Sequence, residues 1–273
     1  MKTILITGDH PRHLYFVDKF TKEIASMGID LLWVIEKREA FMPTPDKDLN
    51  LELKRLFNLH FEKRAKAEEV FFGNKAGEYA KKNIKKIMNI DPIDLDNGSF
   101  FKICNDFKPE FLLSNGCHII SNETLNVTKI SNWNVHGGLS PWYKGGATHF
   151  WPTYLMEPEF TGITVHETTQ NLDAGAIIHQ EIVDLNIEDG IHENACRITR
   201  DFSISFPKLL KNCFNKKKFL KGIPQQSSGR NFTGKLWKPS MLKVIYELFD
   251  DKINKYCLEN KIPRKPKIKS VLI

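Results

Sequence analysis

Two short apolar runs on either side of an amphipathic stretch occupy the start of the chain, and this pattern constrains the fold most. Residues 2–7 (KTILIT) are mostly apolar and end at Gly8. Residues 13–27 then show helical spacing, Gly28 ends that helix, and residues 29–35 (IDLLWVI) predict a second buried strand. A strand, a helix and a strand in this order typically open a doubly wound α/β domain, so we predict a mostly parallel sheet.

The remaining elements follow from the same kind of pattern. We predict further strands at 111–114, 133–136, 162–168 and 176–185. We predict helices at 101–107, 148–156 and 191–214, and a charged helical stretch over 46–89. Pro207 is expected to kink or end the helix in which it lies. Residues 1–214 are expected to form the catalytic domain, and residues 215–273 a small basic extension with a linker at 224–234 and a helix at 241–259.

Composition excludes several classes of protein. Of 273 residues, 41% are hydrophobic and 27% are charged, which is ordinary for a globular protein and excludes a disordered or collagen-like chain. No apolar run reaches the roughly 18–20 residues of a membrane helix, and residues 1–6 lack the features of a secretory signal, so we expect a cytoplasmic protein without a membrane span. The five cysteines form no C-x-x-C pair, so neither a disulfide framework nor a metal site is expected.

The positive charge is concentrated at the end of the chain. The net charge is +7, and residues 215–273 hold fifteen Lys and Arg against four Asp and Glu. Such a segment attracts nucleic acid, an anionic membrane or a phosphorylated small molecule, or it forms a solvated face. Charge alone does not choose among these alternatives.

Three polar side chains suggest chemistry at the ends of predicted strands. Asn134 and His136 are two residues apart in a strand, so their side chains point the same way, and Asp173 lies in a loop. An amide, an imidazole and a carboxylate together suit acyl transfer to an amine, because they can stabilise an oxyanion and move a proton. The alternative is that Asn134 caps a loop, His136 is a hydrogen-bonded core histidine and Asp173 forms a turn.

Three ordered motifs carry a family resemblance. Asn134-Val135-His136, the loop Leu-Ser-Pro-Trp-Tyr-Lys-Gly-Gly over 139–146, and Leu-Asp-Ala-Gly over 172–175 resemble the signature of the tetrahydrofolate-dependent formyltransferases. His136 and Asp173 are 37 residues apart, close to the spacing in that family. The resemblance covers residues 111–184 well and the first strands loosely. It implies a Rossmann-like formyltransferase core that uses N10-formyltetrahydrofolate without a metal.

The resemblance also implies roles for individual residues. Asn134 and His136 would stabilise the tetrahedral intermediate formed when an amine attacks the formyl group, and Asp173 would hold His136 in its useful protonation state. The residues expected to contact the folate are Cys117, His118, Ile119 and Ile120 on one wall and Gln170, Asn171 and Leu172 on the other. The chain departs from the family at two places, with Gly137-Gly138 where Pro is usual and Lys144 where Arg is usual.

Three acceptors occur in this family, and the sequence separates them in part. Glycinamide ribonucleotide enzymes have a glycine-rich turn after the first strand, whereas this chain has one glycine there and Pro11. Methionyl-tRNA enzymes carry a further C-terminal barrel, for which the residues after Ile223 are too few, so a nucleic-acid partner is not expected. The length suits the third type, which formylates a nucleoside-diphosphate-linked amino sugar for bacterial surface polysaccharide.

If the acceptor is a nucleotide-linked amino sugar, its chemistry indicates which residues bind it. Cationic His10, Arg12, His13 and Lys144 are expected to meet the diphosphate. Gly145 is expected to bind the acceptor too, and an aromatic ring is expected to stack on its base or sugar: Trp142, Tyr143, Phe150 or Trp151. An apolar face within 241–249 suits a homodimer contact as well as an intramolecular one. A non-catalytic α/β binding module remains the alternative from another class, although such a module need not keep all three catalytic side chains.

Overall fold

A computed structural model describes residues 1–95 and 97–272 and contains a seven-stranded sheet flanked by helices. The strand order is β3-β2-β1-β4-β5-β7-β8, for strands β1 (Lys2–Gly8), β2 (Asp30–Glu36), β3 (Lys86–Ile90), β4 (Phe111–Asn115), β5 (Ser131–His136), β7 (Gly162–Glu167) and β8 (Ile177–Ile182). The first five strands of that order are parallel, β7 is antiparallel to β5, and β8 is antiparallel to β7. This confirms the predicted doubly wound, mostly parallel sheet.

Helices cover the sheet on both faces. They are α1 (Pro11–Ile24), α2 (Leu51–Phe72), α3 (Glu78–Asn83), α4 (Ser99–Phe107), α5 (Asn122–Val127), α6 (Trp151–Tyr154), α7 (Ile191–Lys216) and α8 (Ile253–Glu259). Aromatic side chains join α1 to α7, where the Phe16 ring stacks on Phe202 with 6.1 Å between centroids. Burying such rings is the main source of stability in a core of this kind. None of the described helices is long and apolar enough to cross a membrane.

The register of the central strands positions polar side chains at one edge of the sheet. Ser114 on β4 lies beside Asn134 on β5, and Asn134 lies beside His166 on β7. The apolar residues Ile4, Leu5 and Ile6 of β1 are fully buried in the middle of the sheet. Polar groups therefore collect at the carboxyl ends of the parallel strands, where open α/β sheets place their sites.

Some predicted elements differ from those observed. The stretch 46–89 holds α2 and α3 but ends in β3. This edge strand begins at Lys86 and its residues are mostly exposed, so its sequence resembles that of a solvated helix. The helix predicted at 148–156 is only the single turn α6. The last long helix, α7, continues through Pro207 to Lys216.

The residues expected to form a linker pack against the body of the protein. Two short strands, β6 (Lys144–Gly145) and β9 (Asn231–Phe232), pair in parallel. Gly229 has φ +64°, and a Cβ there would lie 1.7 Å from the Pro141 carbonyl oxygen, so only glycine fits. The segment 224–234 is therefore part of the wall behind the loop that follows β5.

The rest of the extension also contacts the body. Leu242 and Ile245 are fully buried in a cluster with Leu139 and Tyr143, so this part of the expected dimer face packs within the chain. The predicted helix at 241–259 consists of a π-helical turn at Val244–Leu248 and of α8. Ser270 forms a backbone bridge with His179 on β8. The domain boundary at residue 214 and the homodimer stay predictions.

Candidate active site

The three predicted catalytic side chains come together at the carboxyl edge of the sheet. Asn134 and His136 lie at the end of β5, and Asp173 lies in the loop between β7 and β8. His136 Nδ1 is 3.4 Å from Asp173 Oδ2, and both side chains are buried. Asp173 Oδ2 also accepts a hydrogen bond of 2.8 Å from the backbone N–H of Gly145. The carboxylate is therefore fixed between the imidazole and the loop that follows β5.

A fourth side chain, His166 on β7, joins this group and was not predicted. His166 Nε2 is 3.3 Å from Asp173 Oδ1 and 3.2 Å from Asn134 Nδ2. Ser114 Oγ donates to Asn134 Oδ1 at 2.8 Å, so the amide nitrogen of Asn134 is the donor toward His166. The antiparallel pairing of β5 and β7 was the missing information, because it brings together residues 32 positions apart.

The hydrogen bonds and charges of the site define where a proton can move. His136 Nε2 lies 2.9 Å from the Tyr143 carbonyl and must donate to it, which leaves Nδ1 facing Asp173. Burial lowers the pKa of His136, although Asp173 opposes that shift. Burial alone would raise the pKa of Asp173, but His136, His166 and the Gly145 N–H hold it at about 2. A neutral imidazole beside an ionised carboxylate is suited to accept a proton.

The chain has Gly137-Gly138 where the family usually has Pro, and the structure shows why Gly138 has no room for a side chain. A Cβ on Gly138 would lie 2.5 Å from His136 Nε2 and from the Tyr143 carbonyl oxygen. Both atoms belong to the hydrogen bond that sets the tautomer of His136. A side chain at this position would therefore displace the imidazole.

A cavity of about 540 Å³ opens at this group of side chains. This volume lies within the range of small-molecule sites, roughly 300–1,000 Å³. The predicted site residues that line it are His10, Arg12, His13, Cys117, Asn134, His136, Gly145, Leu172 and Asp173. The structure thus brings the three predicted catalytic residues and part of both predicted binding sets to one cavity. Among the described residues, no cluster of three or more His, Cys, Asp or Glu side chains is arranged to hold a metal ion.

The residues expected to contact the folate divide into two groups. Cys117 and Leu172 line the cavity, whereas Ile119 is 64% exposed and Gln170 and Asn171 lie on the surface. The His118 ring does not line the cavity, and its Nδ1 lies beside the Glu36 carboxylate and 2.9 Å from a guanidinium nitrogen of Arg38.

The expectation that the Ile120 side chain contacts the folate is corrected. Its side chain is buried in the cluster that contains Ile4 and Leu112 beneath the sheet. An apolar residue next to a strand end can point into the core as readily as into a site, and here it points into the core.

The expectation that His10 and His13 are cationic is also corrected. Burial lowers the pKa of His10, with the Arg12 charge adding to this effect, and burial lowers the pKa of His13 well below its ordinary value. Both imidazoles are therefore neutral near pH 7. Arg12 lies in the cavity wall, where it is paired with Glu68.

The loop residues expected to contact the acceptor mostly face away from the cavity. Tyr143 is fully buried, its hydroxyl donates to Glu157, and its ring stacks on Phe232 at 5.5 Å. Lys144 is 4% exposed and does not line the 540 Å³ cavity. Trp142 lines a separate cavity of about 330 Å³ behind the loop, together with Arg230. Pairing of β6 with β9 accompanies this orientation, and of residues 142–145 only Gly145 lines the 540 Å³ cavity. Phe150 also lines this cavity, whereas Trp151 does not.

Charged residues that the sequence did not single out complete the cavity wall. Arg38 follows β2, and Arg64 and Glu68 lie on α2. His149 lies in the loop before α6, and burial lowers its pKa to about 4, with Arg12 and His136 adding to the effect. No short motif in the sequence marks these residues. For Arg64 and Glu68 the reason is that the sequence of α2 is typical of a charged surface helix, and only its packing shows that these side chains face the cavity.

Comparison with known proteins finds a family match over part of the chain. Residues 74–208 match the family model described as formyl transferase. The bifunctional polymyxin resistance protein ArnA of Wigglesworthia glossinidia brevipalpis is 26% identical over 155 residues, which are 55% of this chain. The chain spans only 23% of the length of that relative.

Solved structures show the same fold. An N-formyltransferase from Helicobacter canadensis, in complex with folinic acid and dTDP-3-aminofucose, is 15% identical with a TM-score of 0.54, over 87% of this chain and 73% of that chain. Phosphoribosylglycinamide formyltransferase from Bacillus halodurans is 15% identical with a TM-score of 0.56, over 80% of this chain and 98% of that chain. The matched segment spans Asn134, His136 and Asp173, so the part of the chain that holds these three side chains is similar to the formyl transferases, and the chain shares their fold.

Proposed function

We propose that this enzyme transfers the formyl group of N10-formyltetrahydrofolate to the amine of a nucleoside-diphosphate-linked amino sugar. The observation that carries the proposal is the meeting of Asn134, His136 and Asp173 at a cavity whose wall also holds Arg12, Arg38 and Arg64. The first three side chains suit formyl transfer to an amine, and the guanidinium groups suit an anionic acceptor. The Helicobacter canadensis neighbour was crystallised with folinic acid and a nucleotide-linked amino sugar, which supports both substrates.

The chemistry follows from where each group lies. As the amine attacks the formyl carbon, negative charge grows on the formyl oxygen, and the Asn134 amide can donate a hydrogen bond to it. The amine must also lose a proton, which His136 Nδ1 can accept because its Nε2 proton is committed to the Tyr143 carbonyl. Asp173 stabilises the imidazolium that results. The proton then returns to the folate nitrogen as the bond between that nitrogen and the formyl carbon breaks.

The two substrates are assigned to different parts of the site. Cys117 and Leu172, with His118, Ile119, Gln170 and Asn171 at the surface, are proposed to contact the formyl donor. Arg12 is proposed to contact the diphosphate of the acceptor, and Gly145 the sugar. Phe61 and Trp237, whose rings are 6.3 Å apart, line the same cavity and suit the base. A cytoplasmic location and a place in bacterial surface polysaccharide synthesis belong to the same proposal.

A ribonucleotide acceptor is the second candidate, because phosphoribosylglycinamide formyltransferases share the fold. Against it, α1 begins at Pro11, which has no backbone N–H, and its N-cap His10 makes no side-chain capping bond. The start of α1 thus offers fewer donors to a terminal phosphate than a glycine-rich turn does.

The test is a turnover assay with a panel of acceptors. The enzyme is mixed with N10-formyltetrahydrofolate and with amino sugars linked to uridine, thymidine or guanosine diphosphate, and release of tetrahydrofolate is followed. Turnover with at least one nucleotide-linked amino sugar, and little with glycinamide ribonucleotide, is expected. Preferred formylation of glycinamide ribonucleotide would contradict the acceptor class, and absence of turnover with every amine would contradict the reaction.

A further inference from the structure

Three charged side chains from outside the family-matched segment line the catalytic cavity. Arg12 lies on α1, and Arg64 and Glu68 lie on α2, whereas the family match begins at residue 74. We call these three residues the Arg–Glu cluster.

The Arg–Glu cluster contains buried polar atoms that lack partners in the described part of the chain. Glu68 is 2% exposed, and its Oε2 accepts no hydrogen bond, although its Oε1 is paired with Arg12. The Nε of Arg64 is likewise buried without an acceptor. More than about 90% of buried polar groups in proteins are hydrogen-bonded, so an unpaired acceptor and an unpaired donor on one cavity wall indicate a ligand that supplies both.

Other contacts hold the cluster in place. The Arg64 guanidinium donates to the Phe41 carbonyl and lies over the Phe61 ring, 4.6 Å from its centroid. Arg12 is bonded to Glu68 and lies 3.1 Å from His10 Nδ1. These contacts fix the side chains before any ligand arrives, which reduces the entropy lost on binding.

The charges of the Arg–Glu cluster do not balance. Two guanidinium groups stand against the single Glu68 carboxylate, and burial beside Arg12 lowers the pKa of Arg64 to about 10. An anion would remove this excess of positive charge. Arginine is the residue best suited to a phosphate, since its planar group donates two parallel hydrogen bonds.

We propose that the Arg–Glu cluster is the part of the site that selects the acceptor, by binding a phosphate through Arg12 and Arg64 and a neighbouring hydroxyl through Glu68 Oε2. This inference rests on the proposed function and names two residues, Arg64 and Glu68, as determinants of acceptor specificity. A phosphate next to a hydroxyl is present in both halves of a nucleotide-linked sugar. The hydroxyl therefore comes from the ribose or from the hexose.

The first experiment measures nucleotide binding without any reaction. The full chain is titrated by calorimetry with the diphosphates of uridine, thymidine and guanosine and with their glucose conjugates. Arg64→Lys keeps the charge without Nε, and Arg64→Gln keeps a donor toward Phe41 without the charge. Both variants should weaken the tightest nucleotide about ten- to a hundred-fold, as expected for loss of a charge-assisted hydrogen bond. Lys66→Ala, an exposed position on the same helix, is the matched control and should change nothing.

The second experiment isolates the carboxylate. Glu68→Gln should weaken the glucose conjugate about tenfold or more, whereas Glu62→Gln, exposed on the same helix, should not. A loss seen with uridine diphosphate but not with its 2′-deoxy form assigns the hydroxyl to the ribose. A loss confined to the glucose conjugate assigns it to the hexose.

The outcomes separate this inference from the proposed function. Nucleotides that fail to bind the wild type, or Arg64 and Glu68 variants that bind them as the wild type does, would overturn the role of the Arg–Glu cluster even if amino sugars are formylated. Binding that depends on Arg64 and Glu68 would support the cluster even if no panel amine is formylated. Thermal unfolding of each variant shows whether the weakened binding reflects a folded protein.

Discussion

Replacing Asp173 with asparagine tests the electrostatic part of the mechanism. The carboxylate lies 3.4 Å from His136 Nδ1, and two unit charges at this distance attract by about 5 kcal/mol at an effective dielectric constant of about 20. The asparagine oxygen can still accept from Gly145, so the loop should keep its position. We expect loss of about 3 kcal/mol or more of imidazolium stabilisation, which corresponds to a fall in kcat of about 10²-fold or more.

The assay for Asp173→Asn combines turnover with a pH profile. Asp173 raises the pKa of His136 against the effect of burial, so its removal should lower that pKa further and move the acid limb of kcat/KM to lower pH. Asp184→Asn, which removes an exposed carboxylate just after β8, is the control and should leave both quantities unchanged. Turnover within tenfold of the wild type, with the acid limb in place, would refute the reasoning.

Four further changes have defined outcomes. His166→Gln should lower kcat about tenfold with the acceptor KM nearly unchanged, because His166 positions Asn134 and Asp173. An unchanged kcat would show that His166 has no positioning role. Gly138→Ala should also lower kcat about tenfold or more, since its Cβ would lie 2.5 Å from His136 Nε2; wild-type turnover would contradict this placement. Lys144→Met should leave the acceptor KM within about threefold, because the side chain is buried outside the cavity, and a tenfold rise would return it to the acceptor site. His149→Gln should make the stability of the protein less sensitive to acid. The pKa of His149 falls from 6.5 to about 4 on folding, so protonation of the unfolded chain destabilises the wild type by about 1.4 kcal/mol per pH unit as pH falls from 6.5 toward 4. Urea unfolding of both proteins at pH 7 and pH 5 measures the difference.

The meeting of Asn134, His136 and Asp173 could be predicted from sequence because its signals are local. Asn134 and His136 are two residues apart at a strand end, and Asp173 lies in a short motif at a family spacing. The sheet could be predicted for the same reason, since each buried strand is a continuous apolar run bounded by a glycine or a polar residue. These features depend on neighbours in the chain rather than on distant packing.

The surroundings of these three side chains could not be predicted, because distant segments of the chain determine them. Lys144 looks like an exposed loop cation until its pairing with Asn231 turns it inward. Arg64 and Glu68 look like surface charges until α2 packs beside α7 and their side chains meet the cavity. His10 and His13 look cationic until burial lowers their pKa values. In each case tertiary contacts change the meaning of a residue whose local sequence is ordinary.

The most direct measurement of formyl transfer follows isotopically labelled formyl groups. The wild type and His136→Ala are each incubated with labelled N10-formyltetrahydrofolate and an amino sugar linked to thymidine, uridine or guanosine diphosphate, and the sugar is analysed by mass spectrometry. We predict that the wild type adds one labelled formyl group to the amine of at least one of these sugars, and that His136→Ala does so at least about 10²-fold more slowly. Equal labelling by both proteins, or labelling of none of the sugars by the wild type, would contradict the account.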